Sequence, residues 1–206
     1  DVERFEWNKP REDFYLSVCR LVPNKRVDLL VKAFNRLKLP LIVVGDGVEK
    51  EYLKAIAGPT VKMLGFQSKE KIENLMSRCR AFVYAGVEDF GIAPVEAMAS
   101  GSPVIAFGKG GILDTVKCFN SYSSREATGL LFPLQTVNSL VEAIEFFKEK
   151  QLWKDLEPEL IRDWTNSFSQ DSFKNKFEKT INRAWNEHIN SCDIATSDLS
   201  SSLRKS

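Results

Sequence analysis

Short apolar segments recur along the first two thirds of the chain and alternate with segments whose apolar residues are spaced as in a helix. Each apolar segment is four to six residues long and is bounded by Gly, Pro or charged residues. This pattern is typical of strands that are buried on both faces of a sheet. The predicted strands are 14–19, 41–45, 61–65, 81–85, 103–107 and 129–132.

Between these strands, apolar residues repeat at intervals of three and four, which predicts amphipathic helices. The stripes are Leu30, Ala33, Phe34 and Leu37; Ile72, Leu75, Met76 and Cys79; and Val137, Leu140, Val141, Ile144 and Phe147. Repeated strand–helix alternation implies right-handed crossovers and a parallel sheet. We therefore predict an α/β domain with a doubly wound, six-stranded, Rossmann-like sheet. Ligands of such sheets bind where strands lead into helix amino termini.

The strand pattern stops near residue 150, and the remaining residues predict helices and then an irregular tail. A last amphipathic helix is expected from the stripe Phe173, Phe177, Ile181, Ala184, Trp185 and Ile189. The Ser-rich end of the chain has no apolar periodicity, and we expect it to be disordered. The predicted organisation is a domain at 14–150, helices at 151–190 and a tail at 191–206.

The composition narrows the choice of partners. With 29 basic and 28 acidic residues the chain is almost neutral, so nothing favours nucleic acid as a partner, and any anion site must be local.

The four cysteines are far apart and form no zinc-binding pattern, which favours reduced thiols and a cytoplasmic location. No apolar run is long enough to span a bilayer, and the polar first residues do not resemble a signal peptide. The sequence begins without Met and is expected to be a fragment.

The segment EDFGIAPVEAMASG at 88–101 carries two glutamates eight residues apart, with Gly91 and Pro94 between them. Proline is tolerated at the first helical position, so we expect a helix that begins at Ala93 or Pro94 and ends at Gly101. Glu96 would then lie in the first turn, beside unpaired amide groups, with Glu88 in the preceding loop. The segment predicts an anion pocket with two carboxylates that can bind hydroxyl groups.

Two further loops at predicted strand ends carry candidate residues. CRLVPNKR, after the first strand, holds Arg20 and Lys25 on either side of a proline that stiffens the turn. GKGG at 108–111, after the fifth strand, contains Gly110 and Gly111 and would let the backbone approach a ligand closely. Each loop alone is a weak signal. Two cations, a helix amino terminus and two carboxylates at one sheet edge together match a ligand with a diphosphate and several hydroxyl groups.

These residues resemble a known family. EDFGIAPVE is similar to the paired-glutamate signature of the retaining glycosyltransferases of family 4. The segments RLVPNKRVDLLVKAF, VVGDG, LGFQSKEKI, EAMASGSPVIAFGKGG and EATGLLFPLQTVNSLVEAI resemble the nucleotide-sugar-binding domain of those enzymes in the same order. The resemblance covers roughly residues 14–148 and is strongest to the mannosyltransferase branch.

The resemblance implies the carboxyl-terminal half of a GT-B glycosyltransferase, with residues 1–13 linking to a missing acceptor domain. It implies that Arg20 and Lys25 bind the diphosphate with help from the backbone of Gly91 and Ile92. Glu88 would bind the transferred sugar and Glu96 the ribose. The implied catalytic residues are Glu88, Arg20 and Lys25. The implied donor-binding residues are Arg20, Lys25, Gly65, Phe66, Glu88, Phe90, Gly91, Ile92, Glu96, Gly110 and Gly111.

The resemblance also implies the ligands and partners. The donor is GDP-mannose or a UDP-sugar, and a glycan or lipid-linked acceptor binds through the missing domain. No cofactor or metal ion is needed, because Arg20 and Lys25 take the place of a metal. The whole protein would lie in the cytoplasm or make peripheral contact with the inner face of a membrane. The fragment alone is expected to be inactive.

Two departures from the family pattern are visible. Cys19 stands where the family usually has glycine before the arginine, which either tightens the packing or restricts the approach of a phosphate. The stretch 117–127 is longer than the usual link and predicts a loop excursion.

Two other classes of function remain open from the residues alone. The first is a nucleotide- or dinucleotide-binding Rossmann module of another enzyme, although VVGDGVEKE does not complete the glycine fingerprint because Lys50 takes the third glycine position. The second is a non-catalytic interaction domain. Binding of nucleoside diphosphates or of NAD(P) would separate the first class from a glycosyltransferase, and no response to any nucleotide would favour the second.

Overall fold

The structure, a computed structural model, describes residues 2–119 and 126–203, with side chains up to residue 189. The described chain forms two units: residues 2–165 contain the sheet, and the residues from 166 onwards contain a long helix. The sheet unit is therefore longer at both ends than the predicted 14–150. It includes the described part of the predicted linker at 1–13 and two short helices after residue 150.

All six predicted strands are present and form one parallel sheet, which confirms the predicted α/β fold. The strand order is β3-β2-β1-β4-β5-β6. Successive strands are therefore added in one direction from β1 to β3 and in the opposite direction from β4 to β6, so the order reverses between β1 and β4. A crevice forms at such a reversal, outside the strand carboxyl ends. The strands are β1 Tyr15–Val18, β2 Leu41–Val44, β3 Val61–Gly65, β4 Ala81–Tyr84, β5 Val104–Phe107 and β6 Gly129–Phe132.

The strand β3 differs from the prediction that all six strands are buried on both faces. It lies at one edge of the sheet, and its side chains alternate between buried and more exposed positions. An edge strand is covered by fewer neighbours, so only one face of it needs to be apolar. The central strands β1, β4 and β5 are almost completely buried, as predicted.

The helices of the sheet unit divide into two groups, as a doubly wound sheet requires. Helix α1 packs against α2 and α6, whereas α4 packs against α3 and α8. The predicted stripes lie on α1, α3 and α6, while α2 has a single buried residue and was not predicted from periodicity. The helices of this unit are α1 Val27–Leu37, α2 Lys50–Ile56, α3 Lys69–Arg78, α4 Ile92–Ala99, α5 Ile112–Thr115, α6 Val137–Glu149, α7 Leu152–Asp155 and α8 Pro158–Thr165.

Helix α4 begins at Ile92 and not at Ala93 or Pro94, so this prediction was wrong by one or two residues. Gly91 precedes the helix in the left-handed conformation, with φ of 85°, and lets the chain enter the helix before the proline. Pro94 takes the third helical position, where its missing N–H would have had no partner within the helix. The helix ends at Ala99, and Gly101, the glycine predicted to stop it, follows the cap residue Ser100 with φ of 71°.

The segment before β1 is packed onto the sheet unit. Val2 and Phe5 are buried with Ala99 of α4. Arg11 donates hydrogen bonds to the carbonyl oxygens of Ser77 and Gly101 and to the hydroxyl of Ser102, across 2.7 Å in the last case. The described part of residues 1–13 is therefore held by both apolar packing and hydrogen bonds.

The long stretch at 117–127 is described only in part, since residues 120–125 lie outside the described residues. Its first part pairs with the sheet: Cys118 forms an isolated parallel bridge with Gly129, and the Phe119 amide donates to the Gly129 carbonyl oxygen across 2.8 Å. The excursion therefore begins from residues that are attached to the start of β6.

The second unit consists of a 3₁₀ turn and α9, which runs from Gln170 to Leu203. Ser169 caps the helix by accepting a hydrogen bond from the Ser172 amide across 3.2 Å. The helix continues through residues 191–203, where the sequence predicts disorder. No Gly or Pro occurs between residues 170 and 203 to interrupt it. In the described part of the chain, no helix is both long enough and apolar enough to cross a bilayer.

Candidate functional site

The loop after β1 brings two cations, Arg20 and Lys25, to the carboxyl edge of the sheet. Pro23 begins a single 3₁₀ turn, Pro23–Lys25, after which Arg26 adopts the left-handed conformation, with φ of 51°. Gly86, just beyond β4, permits this turn to approach, since a Cβ there would lie 3.1 Å from the Cα of Lys25. The predicted stiff turn is thus packed directly against the end of the neighbouring strand.

The loop after β4 carries Glu88 and is fixed by the two predicted glycines. Gly110 pairs with Glu88 in an isolated parallel bridge, and the Gly111 amide donates to the Glu88 carbonyl oxygen across 2.8 Å. A Cβ on Gly111 would overlap the carbonyl oxygen of Asp89. The backbone of Gly110 and Gly111 therefore approaches the Glu88 loop, and these glycines do not line the cavity at this edge.

A cavity of about 390 Å³ lies between the ends of β1 and β4. It contains both loops and the amino terminus of α4, where Gly91 and Ile92 start the helix. The first amide groups of a helix have no partners within it and attract anions. The cavity is lined by Val18, Cys19, Arg20, Lys25, Tyr84, Glu88, Asp89, Phe90, Gly91, Ile92, Ala93 and Pro94.

Six of the residues that the sequence predicted for the donor site lie together in this cavity. They are Arg20, Lys25, Glu88, Phe90, Gly91 and Ile92. They come from two loops more than 60 residues apart in sequence, which the strand order places side by side. Their roles toward a ligand remain predictions, because the structure establishes only their placement.

Lys25 and Glu88 form an ion pair inside the cavity, with side chains 16% and 29% exposed. The Tyr84 hydroxyl donates to the same carboxylate oxygen. Burial alone would raise the pKa of Glu88, but the hydrogen bonds from Lys25 and Tyr84 outweigh it and hold the pKa below its ordinary value. Burial and the hydrogen bond to Glu88 raise the pKa of Tyr84. At neutral pH the cavity thus contains an ionised carboxylate held by an ammonium and a neutral phenol.

Cys19, where the resemblance implies a glycine, lines the cavity beside Arg20. Burial raises the pKa of its thiol to about 11, although nearby Lys25 lowers it by a smaller amount. The thiol is therefore neutral near pH 7 and adds bulk without charge to the cavity wall. Its effect on a bound phosphate remains a prediction.

A second cavity of about 300 Å³ adjoins the first, because both are lined by Val18, Cys19 and Arg20. Phe66 lines this second cavity and is 81% exposed, whereas Gly65 ends β3 next to it with φ of 69°. Asp46 also lines it and accepts a hydrogen bond from the Gly47 amide across 2.8 Å.

Glu96 does not line either cavity. Because α4 begins at Ile92, Glu96 lies in the second turn, which corrects the prediction that it lies in the first. Its carboxylate forms an ion pair with Arg4, at 2.9 Å. Burial raises the pKa of Glu96, and Arg4 counteracts this. The two glutamates of the paired signature therefore occupy different surroundings.

Sequence reasoning missed Tyr84 and Arg4. Tyr84 is the last residue of β4, and a polar aromatic residue at the end of a buried strand is a signal that could have been used. Arg4 lies 92 residues from its partner Glu96, so no local pattern connects them. Among the residues that the structure describes, no group of three or more His, Cys, Asp or Glu side chains is placed to hold a metal ion. The expectation that no metal is needed remains a prediction.

Known proteins resemble this chain in sequence across the whole sheet unit. The family model described as "Glycosyl transferases group 1" matches residues 1–166. A GDP-mannose-dependent alpha-mannosyltransferase of Mycobacterium tuberculosis is 32% identical over 135 residues, covering 65% of this chain and 34% of that protein. Alpha-1,3/1,6-mannosyltransferase ALG2 of Kluyveromyces lactis is 35% identical over 219 residues, covering 84% of this chain and 43% of that protein.

Solved structures share the fold at lower identity. Anabaena Alr3699/HepE in complex with UDP and glucose superposes with a TM-score of 0.68 at 23% identity, covering 84% of this chain and 48% of that one. The chain thus spans less than half the length of each of these three proteins.

Proposed function

We propose, because the chain belongs to the family of group 1 glycosyl transferases, that it is the donor-binding part of a retaining hexosyltransferase. The donor is a nucleoside-diphosphate sugar, with GDP-mannose as the first candidate. The observation that carries this proposal is the convergence of Arg20, Lys25, Glu88 and the α4 amino terminus on one cavity. Cations and free amide groups bind phosphates, and a carboxylate binds sugar hydroxyl groups.

In this proposal Arg20 and Lys25 bind the diphosphate, together with the amides of Gly91 and Ile92. Negative charge grows on the nucleoside diphosphate as the bond to the sugar breaks. Donors that are already in position stabilise this charge without reorganising, and each is often worth about 3 kcal/mol in the transition state. Pro23, which begins the 3₁₀ turn, and Gly86, which lets that turn pack closely, provide such positioning for Lys25.

Glu88 accepts hydrogen bonds from the transferred sugar. Its lowered pKa keeps it ionised at neutral pH, so that both of its oxygens can accept. Tyr84 and Lys25 hold one of these oxygens, and the ammonium of Lys25 would lie between the carboxylate and the proposed phosphate position. The same ammonium can therefore contact the leaving phosphate while it keeps Glu88 charged.

The nucleoside half of the donor is assigned to the second cavity. The base would stack near Phe66, whose exposed ring is available for contact, and the ribose would reach toward Glu96. Because the two cavities share the wall at Val18, Cys19 and Arg20, one elongated ligand can occupy both. This arrangement gives Glu88 and Glu96 separate tasks at opposite ends of the diphosphate.

The acceptor, a glycan or a lipid-linked sugar, is proposed to bind to a further domain. The chain spans 34% to 48% of the length of the proteins compared above, and it would supply only the donor half of a cleft. We therefore expect the chain alone to bind donor but to transfer no sugar. A location in the cytoplasm or at the inner face of a membrane likewise remains a prediction.

A calorimetric titration with GDP, UDP and ADP, each with and without its sugar, tests the proposal. NAD(P) serves as the comparison ligand for a dinucleotide-binding module. We expect a nucleoside diphosphate to bind, with GDP tightest, and the Arg20→Ala variant to lose most of this affinity. Arg36→Ala is a matched control, since Arg36 is exposed on α1 and contacts Asn138 away from the cavity. Tighter binding of NAD(P) than of every nucleoside diphosphate would contradict the proposal.

A further inference from the structure

Arg4 joins the segment before β1 to two helices of the sheet unit. Its Nη2 atom lies 2.9 Å from Oε1 of Glu96 on α4, and its Nε atom lies 3.3 Å from Oε1 of Glu73 on α3. The first contact is a hydrogen-bonded ion pair, and the second is a charge contact. One guanidinium group therefore lies between two carboxylates that belong to different helices.

The segment that carries Arg4 is anchored by apolar packing. Phe5 is 4% exposed and Val2 is 9% exposed, and both are buried against Ala99 of the same helix as Glu96. The Arg4 guanidinium also lies over the Phe5 ring, 4.5 Å from its centre. Such stacking restricts a side chain that would otherwise have many conformations. The position of Arg4 is thus fixed relative to α4.

Glu96 and Glu73 would repel each other without this cation. Burial and the Glu73 carboxylate both favour the protonated form of Glu96, whereas Arg4 and, to a smaller extent, Lys69 favour the ionised form. Only an ionised carboxylate can accept hydrogen bonds freely with both of its oxygens. Glu96 uses Oε1 for Arg4, which leaves Oε2 as the oxygen that can face a ligand.

We propose that Arg4 is a positioning residue that orients the Glu96 carboxylate and favours its ionised form for the ribose hydroxyl groups of the donor. The inference rests on the proposed function, because it takes Glu96 as the ribose contact. It gives a role to the segment before β1, whose described residues line neither of the two cavities. Arg4 acts only through Glu96 and touches no part of the donor.

Three variants separate charge from geometry. Arg4→Gln removes the cation, Arg4→Lys keeps the charge but loses the planar fork, and Glu73→Gln removes the competing carboxylate. Lys9→Gln is the matched control, since Lys9 pairs with Glu6 in the same segment without contacting Glu96. Thermal unfolding of each variant checks that the sheet unit remains folded.

The first measurement follows the Glu96 carboxyl group by NMR titration, which needs no ligand. We expect its pKa to rise in Arg4→Gln, to fall in Glu73→Gln and to stay unchanged in Lys9→Gln. An unchanged Glu96 titration in Arg4→Gln would overturn the proposal, whatever the chain binds.

The second measurement compares GDP with its 2′,3′-dideoxy analogue by calorimetry. We expect Arg4→Gln to weaken GDP about tenfold, which corresponds to about 1.4 kcal/mol, and to leave the dideoxy analogue almost unaffected. The affinity of Arg4→Lys for GDP should lie between that of Arg4→Gln and that of the unaltered chain. Equal losses for both ligands, or no loss for GDP, would overturn the positioning role. If the unaltered chain binds neither GDP nor UDP, the proposed function fails, while the NMR titration still decides whether Arg4 controls Glu96.

Discussion

Replacing Lys25 by alanine is expected to weaken nucleoside-diphosphate binding by more than the loss of one contact. A hydrogen bond from a charged group to a phosphate is worth about 1.5–3 kcal/mol. Lys25 also neutralises Glu88, whose side chain is only 29% exposed. Without Lys25, this carboxylate would face the diphosphate as an unpaired like charge. We therefore expect a total loss of about 3 kcal/mol or more, which is more than about 100-fold in Kd.

A double-mutant cycle tests this reasoning. If Glu88 repels the phosphates in Lys25→Ala, then adding Glu88→Gln should recover at least about tenfold of the lost affinity for GDP. Guanosine, which has no phosphate, should be affected much less by either change. Lys32→Ala is a suitable control, because Lys32 also belongs to an ion pair, at 3.1 Å from Asp28, but lies away from the cavity. Calorimetry on the four proteins gives each affinity. Equal affinity of the single and double variants for GDP, or equal losses for GDP and guanosine, would refute the assignment.

Three further predictions concern Glu88 and the glycine turn at 108–111 that packs against its loop. Glu88→Gln alone should leave GDP binding unchanged and weaken GDP-mannose binding about tenfold, as measured by calorimetry. An equal loss of affinity for both ligands would show that Glu88 does not contact the sugar. Gly111→Ala should lower the thermal unfolding temperature and abolish GDP binding, because its Cβ would overlap the Asp89 carbonyl oxygen. Gly108→Ala is the control and should be tolerated, since the nearest atom to its Cβ would be 3.5 Å away. A normal unfolding curve for Gly111→Ala would contradict this prediction. Because the pKa of Glu88 is lowered in the folded chain, its contribution to stability is present above the ordinary pKa of 4.5 and is lost as the pH falls below that value. The free energy of unfolding of Glu88→Gln, measured by denaturation at several pH values, should lack this loss. An identical pH profile for Glu88→Gln and the unaltered chain would contradict the prediction.

The strands could be predicted because each is short, apolar and bounded by residues that end strands. Their alternation with helices implied a parallel, doubly wound sheet, and in such a sheet the loops after β1 and β4 share one edge. Arg20 and Glu88 therefore line the same cavity although they are far apart in sequence. The amphipathic stripes of α1, α3 and α6 were readable from their spacing. Helix α2 was not, since Leu53 is its only buried residue and no stripe forms.

The details that could not be predicted depend on backbone conformation and on distant contacts. The start of α4 was misplaced because the usual position of proline was applied, whereas Gly91 begins the turn earlier with a positive φ. The Arg4–Glu96 pair was missed because it requires the segment before β1 to pack on α4. The helical residues 191–203 were missed because the prediction relied on apolar periodicity, which this Ser-rich stretch lacks.

A structure of the chain with GDP bound would show at once whether the cavity between β1 and β4 is the donor site. We expect the diphosphate within hydrogen-bonding distance of Arg20, Lys25 and the amides of Gly91 and Ile92, with the guanosine extending into the cavity beside Phe66. A diphosphate bound elsewhere on the sheet edge, without contact to Lys25 or to the start of α4, would contradict this assignment.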